Sequence, residues 1–273
     1  MKCQTSILTS TLGGPGQSKG LTHLPTMSAK DAKTPRVFLI RHGETEWSQN
    51  GRYTGITDLP LLELGQERIR QTASVVFGFN RLIDPRNIVA TFASPRRRAQ
   101  HTLELLIERI TDEETREVFE STVQTTEQIA EFGYGDYEGL KTHEIRALRH
   151  QRGLDRDTPW DIGRDGTEGP GGELPDQVAK RLDQLIDQIV SLQGEVLRSN
   201  ANVLDGDTKG KGDILIVAHG HILRFFVKRW LGLPMDTKLE LMLEPGGVCG
   251  LSYAHSSINE RAVLVGMSFP GSA

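Results

Sequence analysis

The sequence has few cysteines, no long hydrophobic run and little excess charge. Its only cysteines, Cys3 and Cys249, lie near opposite ends of the 273 residues, so we expect no disulfide framework and a reducing compartment. No apolar run approaches the roughly 20 residues that are needed to cross a bilayer. A net charge of -4 and an isoelectric point near 6.1 argue against a mainly nucleic-acid-binding role. These features predict a cytoplasmic protein, with nuclear presence left open, and neither nucleic acid nor membrane as a partner.

Residues 1–34 differ in composition from the rest of the chain. They contain no aromatic residue and no acidic residue before Asp31, and they are rich in Ser, Thr, Gly and Pro. This composition favours a disordered N-terminal extension. A transit peptide is the alternative, because such peptides are acid-poor and Ser-rich, but the segment has no Arg. Met27 could equally be the true start, and we expect the folded domain over residues 35–270.

Strand-like and helical segments alternate from residue 35 onward. Short apolar or β-branched runs predict strands at Val37–Ile40, Ile88–Ala93, Thr122–Thr126, Ile214–Ala218, Val248–Tyr253 and Ala262–Met267. Amphipathic patterns predict helices at Leu64–Phe77, Arg96–Ile110, Pro175–Leu192 and Gly220–Leu231. Ser94 is expected to cap the second of these helices, with Pro95 at its first position, and residues 194–212 to form a flexible surface connection. The alternation predicts a three-layer α/β/α domain with a mostly parallel central sheet.

Charged and polar residues follow three of the predicted strands directly. The junctions are RHGET at 41–45, SPRRRAQHT at 94–102 and HGHILRF at 219–225. In open α/β sheets, ligands bind outside the carboxyl ends of the strands. We therefore expect these three junctions to form one site.

The residue types at these junctions suit a dianion. Arg41 and Arg98 can each offer paired donors that match phosphate oxygens. Gly43 and Gly220 would let backbone N–H groups approach a ligand closely. A helix that begins at Gly220 would add partial positive charge at its N-terminus. Phosphate is the anion that these features suit best.

The histidines suggest covalent chemistry on phosphate. An imidazole attacks phosphorus only when it is neutral, and nearby arginines would favour the neutral form of His42. A phosphohistidine would divide one displacement into two, with one carboxyl group as acid and then as base. A metal site at His42, His219 and His221 is the alternative, but arginines beside a divalent cation are electrostatically unfavourable. We therefore expect neither a metal nor another cofactor.

Five motifs occur in an order that resembles the histidine phosphatase superfamily, in its phosphoglycerate-mutase-like branch. They are LIRHGET at 39–45, S-P-x-x-R-A at 94–99, E-x-x-Y-G at 131–135, P-G-G-E at 170–173 and A-H-G at 218–220. An RHG tripeptide alone is weak evidence, whereas five motifs in order are strong. The resemblance spans roughly residues 36–270 and implies a phosphoglycerate-mutase-like fold.

The resemblance also implies roles for individual residues. His42 matches the family's nucleophile, and Arg41 and Arg98 match its phosphate-binding arginines. Glu131 matches the proton donor, although a solvated surface acid is the ordinary role of a glutamate. His219 matches a second histidine that binds the transferring phosphoryl group.

One residue departs from the family pattern. Many relatives carry Asn six residues after the nucleophile, where this chain has Ser48, whose hydroxyl can still donate one hydrogen bond to phosphate. The stretches 46–61, 131–140 and 152–166 are similar to those of fungal sedoheptulose 1,7-bisphosphatases. The resemblance therefore implies a metal-independent phosphatase that removes the C1 phosphate of a seven-carbon sugar bisphosphate and feeds ribose synthesis. A mutase, a broad-specificity phosphatase and an inactive phosphate-binding module are the alternatives.

A long bisphosphate would need hydroxyl partners and a second anion site outside the shared pocket. The candidates are Tyr53, Thr54 and Tyr134 for hydroxyls, and Arg164 or His221 for the remote phosphate. Simpler roles stay open, because Tyr53 could be a packed aromatic residue and Arg164 could pair with Asp161 or Asp165. The sequence predicts no oligomeric state.

Overall fold

Six short apolar runs form one sheet in the computed structural model. The strands are β1 Val37–Arg41, β2 Ile88–Ala93, β3 Val123–Thr125, β4 Asp213–Ala218, β5 Val248–Tyr253 and β6 Arg261–Val263. Their order across the sheet is β3-β2-β4-β1-β5-β6. Strands β1 to β4 run parallel, whereas β5 is antiparallel to β1 and β6 to β5. The predicted mostly parallel sheet is therefore confirmed.

The structure describes residues 34–200 and 212–265. The interpretations of the N-terminal extension, including the transit peptide and the start at Met27, concern residues that lie outside this range apart from Thr34. Residues 201–211, in the predicted surface connection, also lie outside it. Within the described part, no helix has the length and apolarity to cross a membrane.

Helices connect the strands. They are α1 Glu46–Asn50, α2 Glu63–Val76, α3 Arg97–Ile107, α4 Glu113–Ser121, α5 Thr142–Gln151, α6 Ile162–Asp165, α7 Pro175–Asn200 and α8 Gly220–Trp230. Short 3-10 helices lie at Pro85–Asn87, Glu127–Ile129, Gly135–Tyr137 and Ala254–Ser256. The four predicted helices correspond to α2, α3, α7 and α8. The other four helices have ten residues or fewer and were not predicted.

Two local predictions are wrong. Helix α3 begins at Arg97, with Arg96 rather than Ser94 in the cap position, because the Ser94 hydroxyl lies 2.6 Å from the ring of His219 instead. Helix α7 continues to Asn200, through the first part of the predicted surface connection. Gln193 explains this extension, since its buried amide bonds the backbone carbonyls of Arg36 and Gly212.

Each face of the sheet carries its own apolar core, as expected for strands covered by helices on both sides. On β1, Val37 and Leu39 point into the core that includes α7 and α8. Phe38 and Ile40 point into the core that includes α2, α3 and α4. The architecture is therefore the predicted three-layer α/β/α arrangement, with the carboxyl ends of β2, β4 and β1 side by side.

Candidate active site

The candidate site forms where three neighbouring parallel strands end. Backbone hydrogen bonds continue the sheet by one residue, from His42 N to Ala218 O at 2.8 Å and from Ser94 N to Val217 O at 3.0 Å. The residue after β1 and the residue after β2 are thereby fixed on either side of β4. The structure thus brings the three predicted junctions together.

His42 is buried, and its protonation state follows from its surroundings. Its Nδ1 lies 2.7 Å from Gly43 O, and a carbonyl oxygen only accepts hydrogen bonds, so Nδ1 carries the proton and Nε2 the lone pair. Burial, followed by the charges of Arg98 and Arg41, lowers the pKa of His42 well below 6.5, against a smaller opposing effect of the Gly43 bond. His42 is therefore a neutral imidazole whose Nε2 is available as a nucleophile.

His219 packs beside the nucleophile candidate, with ring centroids 5.0 Å apart. Its Nδ1 accepts a hydrogen bond from Arg98 Nε at 3.1 Å, so in the neutral ring Nε2–H donates to Ser94 Oγ at 2.6 Å. Burial and the charge of Arg98 lower the pKa of His219 well below 6.5. Because both ring nitrogens already bond protein groups, the predicted contact with a phosphoryl group stays a prediction.

Arg98 is fully buried and holds much of the site in place. Besides His219 Nδ1, its guanidinium donates to Thr57 O at 2.9 Å, Thr54 O at 2.8 Å and Gly55 O at 3.0 Å. Four of its five N–H groups are thereby used. Arg98 can offer a phosphate one hydrogen bond from Nη1, rather than the paired contact expected from the sequence.

Arg41 has an N–H donor without a hydrogen-bond partner among the described residues. Its Nη1 bonds Leu243 O at 2.8 Å, but its Nε is buried and has no hydrogen-bond partner among the described residues. Gly220 lies directly against this guanidinium, since a Cβ built on Gly220 would be 3.1 Å from Arg41 Cζ. Burial lowers the pKa of Arg41, and the charge of Glu131 opposes that change. A buried donor without a partner is costly, and a bound anion would supply the missing acceptor.

Glu131 is a buried acid whose carboxylate lies at the N-terminus of α8. Its carboxylate accepts hydrogen bonds from the backbone N–H groups of Phe132 at 2.9 Å, Ile222 at 2.8 Å and His221 at 3.1 Å. A helix N-terminus favours a negative group. The charge of Glu131 acts on both Arg41 and Arg98, so the surface-acid alternative does not apply. The predicted proton donor lies in the site.

An aromatic wall borders this acid. The Tyr53 ring stacks on His221 with centroids 5.2 Å apart and contacts the edge of Tyr134 at 5.0 Å. The Tyr134 hydroxyl lies 2.7 Å from His221 Nδ1. Burial raises the pKa of Tyr134 well above 10.0, and burial followed by the charge of Arg224 lowers that of His221 well below 6.5. Tyr134 and His221 are therefore uncharged, and Tyr53 packs against both, while its contact with a substrate hydroxyl stays a prediction.

The hydroxyls of two other candidate residues, Ser48 and Thr54, bond nearby backbone groups. The Ser48 hydroxyl accepts from Thr45 N at 2.8 Å and donates to Thr45 O at 3.0 Å, within the cap of α1. The Thr54 hydroxyl donates to Arg52 O at 3.2 Å.

Arg164 forms an exposed ion pair with Asp165, at 2.8 and 2.7 Å. The salt-bridge alternative for Arg164 is thus the arrangement in the structure, and this geometry gives no support to a remote-phosphate role.

Arg224 is a residue that the sequence reasoning missed. It lies one turn into α8, where its Nε donates to Gly220 O at 3.0 Å. Because Gly220 also lies against the Arg41 guanidinium, Arg224 is near the site, and its charge lowers the pKa of both Arg41 and His221. The spacing of four residues from Gly220 puts both on one face of a helix, and this signal could have identified it within HGHILRF.

These contacts define an enzyme site for phosphate chemistry, with a neutral nucleophile, two arginines and an acid at one sheet edge. The sequence model of the histidine phosphatase superfamily (branch 1) matches residues 37–264. The chain belongs to this family, as its five motifs indicate, and it is a phosphoric monoester hydrolase.

Individual relatives agree with the family assignment. The chain is 36% identical to the sedoheptulose 1,7-bisphosphatase of Saccharomyces cerevisiae, over 84% of this chain and 92% of that protein. It is 27% identical to a 2,3-bisphosphoglycerate-dependent phosphoglycerate mutase of Parvibaculum lavamentivorans, over 77% of this chain and 86% of that one. A solved structure of an open reading frame product from Mycobacterium tuberculosis matches with a TM-score of 0.61 and 26% identity, over 85% of this chain and 96% of that one. The predicted phosphoglycerate-mutase-like fold is confirmed.

Proposed function

We propose that this protein is a metal-independent sugar-bisphosphate phosphatase that acts through a phosphohistidine at His42. The observation that carries the proposal is the neutral His42 ring, whose Nδ1 bonds Gly43 O and whose Nε2 has no hydrogen-bond partner among the described residues. It lies with the Arg41 Nε, which also lacks a partner there, and with the Glu131 carboxylate. Among residues 34–200 and 212–265 there is no group of three side chains that could hold a metal ion. Metal-independent chemistry is a prediction that added chelator tests.

The proposed reaction has two displacements at phosphorus. In the first, His42 Nε2 forms a bond to phosphorus while the bond to the sugar oxygen breaks, and protonated Glu131 gives that oxygen its proton. In the second, water attacks the phosphorus, the phosphorus–nitrogen bond breaks, and Glu131 takes the proton from the water. Arg41 and the remaining N–H of Arg98 stabilise the charge on the transferring group.

We propose sedoheptulose 1,7-bisphosphate as the substrate, hydrolysed at C1 to sedoheptulose 7-phosphate and phosphate. The named relative at 36% identity supports this choice. A third arginine near the site supports it as well, because among the described residues the terminal nitrogens of Arg224 form no hydrogen bond or ion pair and could hold the C7 phosphate. Arg224 thus replaces Arg164 as the candidate for the remote phosphate. A role in pentose phosphate metabolism and a cytoplasmic location stay predictions.

One comparison tests the substrate most directly. Phosphate release is measured from C3 to C7 sugar mono- and bisphosphates, and we expect a strong preference for sedoheptulose 1,7-bisphosphate. Comparable rates on monophosphates would remove the remote-phosphate site from the proposal. Recovery of an isomerised monophosphate without net phosphate release would indicate a mutase. Tight binding with no turnover of any substrate would indicate an inactive phosphate-binding module.

The intermediate has its own test. Labelled substrate, quenched in base, should leave an acid-labile label on the wild-type protein and none on His42→Ala. Retention of that label by His42→Ala would assign the nucleophile to another residue.

A further inference from the structure

The segment that carries Glu131 has little regular structure of its own. A 3-10 helix, Glu127–Ile129, ends just before it, and β3 is the last strand before it. Its main-chain carbonyls are bonded instead by Arg181, a half-buried residue of α7. Arg181 Nη1 donates to Ala130 O at 2.8 Å and to Gln128 O at 3.0 Å, and Nη2 lies 3.4 Å from Glu131 O.

Glu173 completes the attachment from the other side. Its carboxylate pairs with Arg181 through two hydrogen bonds of 2.9 Å. The same carboxylate accepts the backbone N–H of Gly133 at 2.7 Å. One ion pair therefore fixes the main chain on both sides of Glu131, at Ala130 and at Gly133.

Neither residue reaches the reacting atoms. Arg181 contacts Glu131 at its main-chain oxygen, whereas the Glu131 side chain bonds the N-terminus of α8. Proton transfer in the transition state depends steeply on the placement of the donor, and a misplacement of about 1 Å can cost on the order of 100-fold in rate. A group that fixes the main chain of Glu131 therefore controls the placement of its carboxyl group.

We propose that Arg181 and Glu173 are positioning residues, which hold the main chain around Glu131 so that its carboxyl group meets the leaving oxygen. This inference rests on the proposed role of Glu131 as proton donor. A merely structural ion pair would stabilise the fold without any selective effect on proton transfer.

The leaving group separates these two roles. A sugar alkoxide needs a proton as it leaves, whereas a nitrophenolate leaves without one. We expect Arg181→Gln to lower kcat/KM for the sugar bisphosphate roughly 100-fold and to change kcat/KM for 4-nitrophenyl phosphate less than about 3-fold. This ratio reports the steps up to the phosphohistidine and not its later hydrolysis, in which Glu131 serves both substrates. Arg181→Lys keeps the charge but loses the planar fork, so it should recover only part of the lost kcat/KM. Glu173→Gln should show the same selectivity in weaker form.

Arg229 supplies a matched control. Its guanidinium forms two hydrogen bonds of 2.8 Å with Asp183, between α8 and α7. Among the described residues, it forms no hydrogen bond with the Glu131 segment. Arg229→Gln should lower thermal stability without distinguishing the two substrates. Thermal unfolding of every variant checks that it is folded. If Arg181→Gln fails to fold, Arg181→Lys and Glu173→Gln test the proposal in its place.

An equal loss of kcat/KM on both substrates, or no loss on either, overturns the positioning role. Glu131→Gln tests the proposed acid separately. If Glu131→Gln lowers kcat/KM equally on both substrates, the proposed acid itself is wrong. If Glu131→Gln is selective but the Arg181 and Glu173 variants are not, only the positioning proposal fails.

Discussion

Replacement of Gly220 by Ala should separate catalysis from stability. The added Cβ would lie 3.1 Å from Arg41 Cζ, 3.2 Å from Nε and 3.3 Å from Nη2. These distances are shorter than ordinary van der Waals contacts, so the guanidinium must move by a few tenths of an ångström. The helix itself tolerates Ala, which is favoured over Gly in a helix by up to about 1 kcal/mol.

The two effects have opposite signs. We expect Gly220→Ala to leave the free energy of unfolding unchanged or raised by up to about 1 kcal/mol. We expect kcat/KM to fall by roughly 10-fold, because a shift well under 1 Å at a charge-stabilising group costs part of the loss seen for larger misplacements. Urea denaturation and steady-state phosphate release measure the two quantities.

Gly194 provides the control in another helix. A Cβ on Gly194 would have its nearest neighbours 3.9 Å away, so Gly194→Ala should raise stability by a similar amount and leave kcat/KM unchanged. A folded Gly220→Ala with wild-type kcat/KM would refute the need for close packing between Gly220 and Arg41. A loss of stability above about 2 kcal/mol would show that the guanidinium cannot give way.

Three further changes have defined outcomes. Burial lowers the pKa of His42, His219 and His221 well below 6.5, so the unfolded chain binds more protons than the folded one and stability falls as pH drops below about 6.5. His221→Gln should reduce this slope by about 1 kcal/mol per pH unit on average in denaturation between pH 5 and 7, and an unchanged slope would contradict it. Arg224→Gln should raise KM for the sugar bisphosphate by roughly 10- to 100-fold through loss of charged hydrogen bonds worth about 1.5–3 kcal/mol, but should leave KM for a monophosphate unchanged, as should Arg229→Gln for both. Gln193→Leu should lower the free energy of unfolding by about 2–4 kcal/mol, because the carbonyl of Gly212 and the hydroxyl of Tyr253 lose their partner and the carbonyl of Arg36 keeps only the N–H of Ile214. Urea denaturation measures it, and a loss below about 1 kcal/mol would mean that water replaces the amide.

The convergence of His42, Ser94 and His219 could be predicted from the sequence alone. Each follows a short apolar run, and parallel strands end at one edge of the sheet. The place of Glu131 could not be predicted in that way, because its carboxylate bonds the backbone of His221 and Ile222, about ninety residues further along the chain. Only the motif resemblance pointed to Glu131 before the structure did.

Hydrogen bonds to sequence neighbours explain why the predicted phosphate contacts of Ser48 and Arg164 lack support. Ser48 lies three residues after Thr45, a spacing at which hydroxyl and backbone groups cap a helix, and this contact was available in the sequence. Arg164 precedes Asp165, and the adjacent carboxylate takes up its guanidinium. In both cases a short-range partner takes up groups that the sequence analysis assigned to a distant ligand.

The two arginines of the site have different roles: Arg98 fixes the geometry of the site, and Arg41 offers a hydrogen-bond donor to a bound anion. Arg98 donates four N–H groups to three carbonyls and to His219. Its position is therefore fixed before a ligand binds, and it holds the ring of His219 in turn. Arg41 keeps a buried Nε without a protein acceptor among the described residues, and this costs folding free energy that an anion would recover. Transition-state stabilisation is most effective when donors need no reorganisation. A site of this kind needs both residues, because an arginine with a single N–H left can donate only one bond to new charge, and an arginine with fewer protein partners is held in place less firmly.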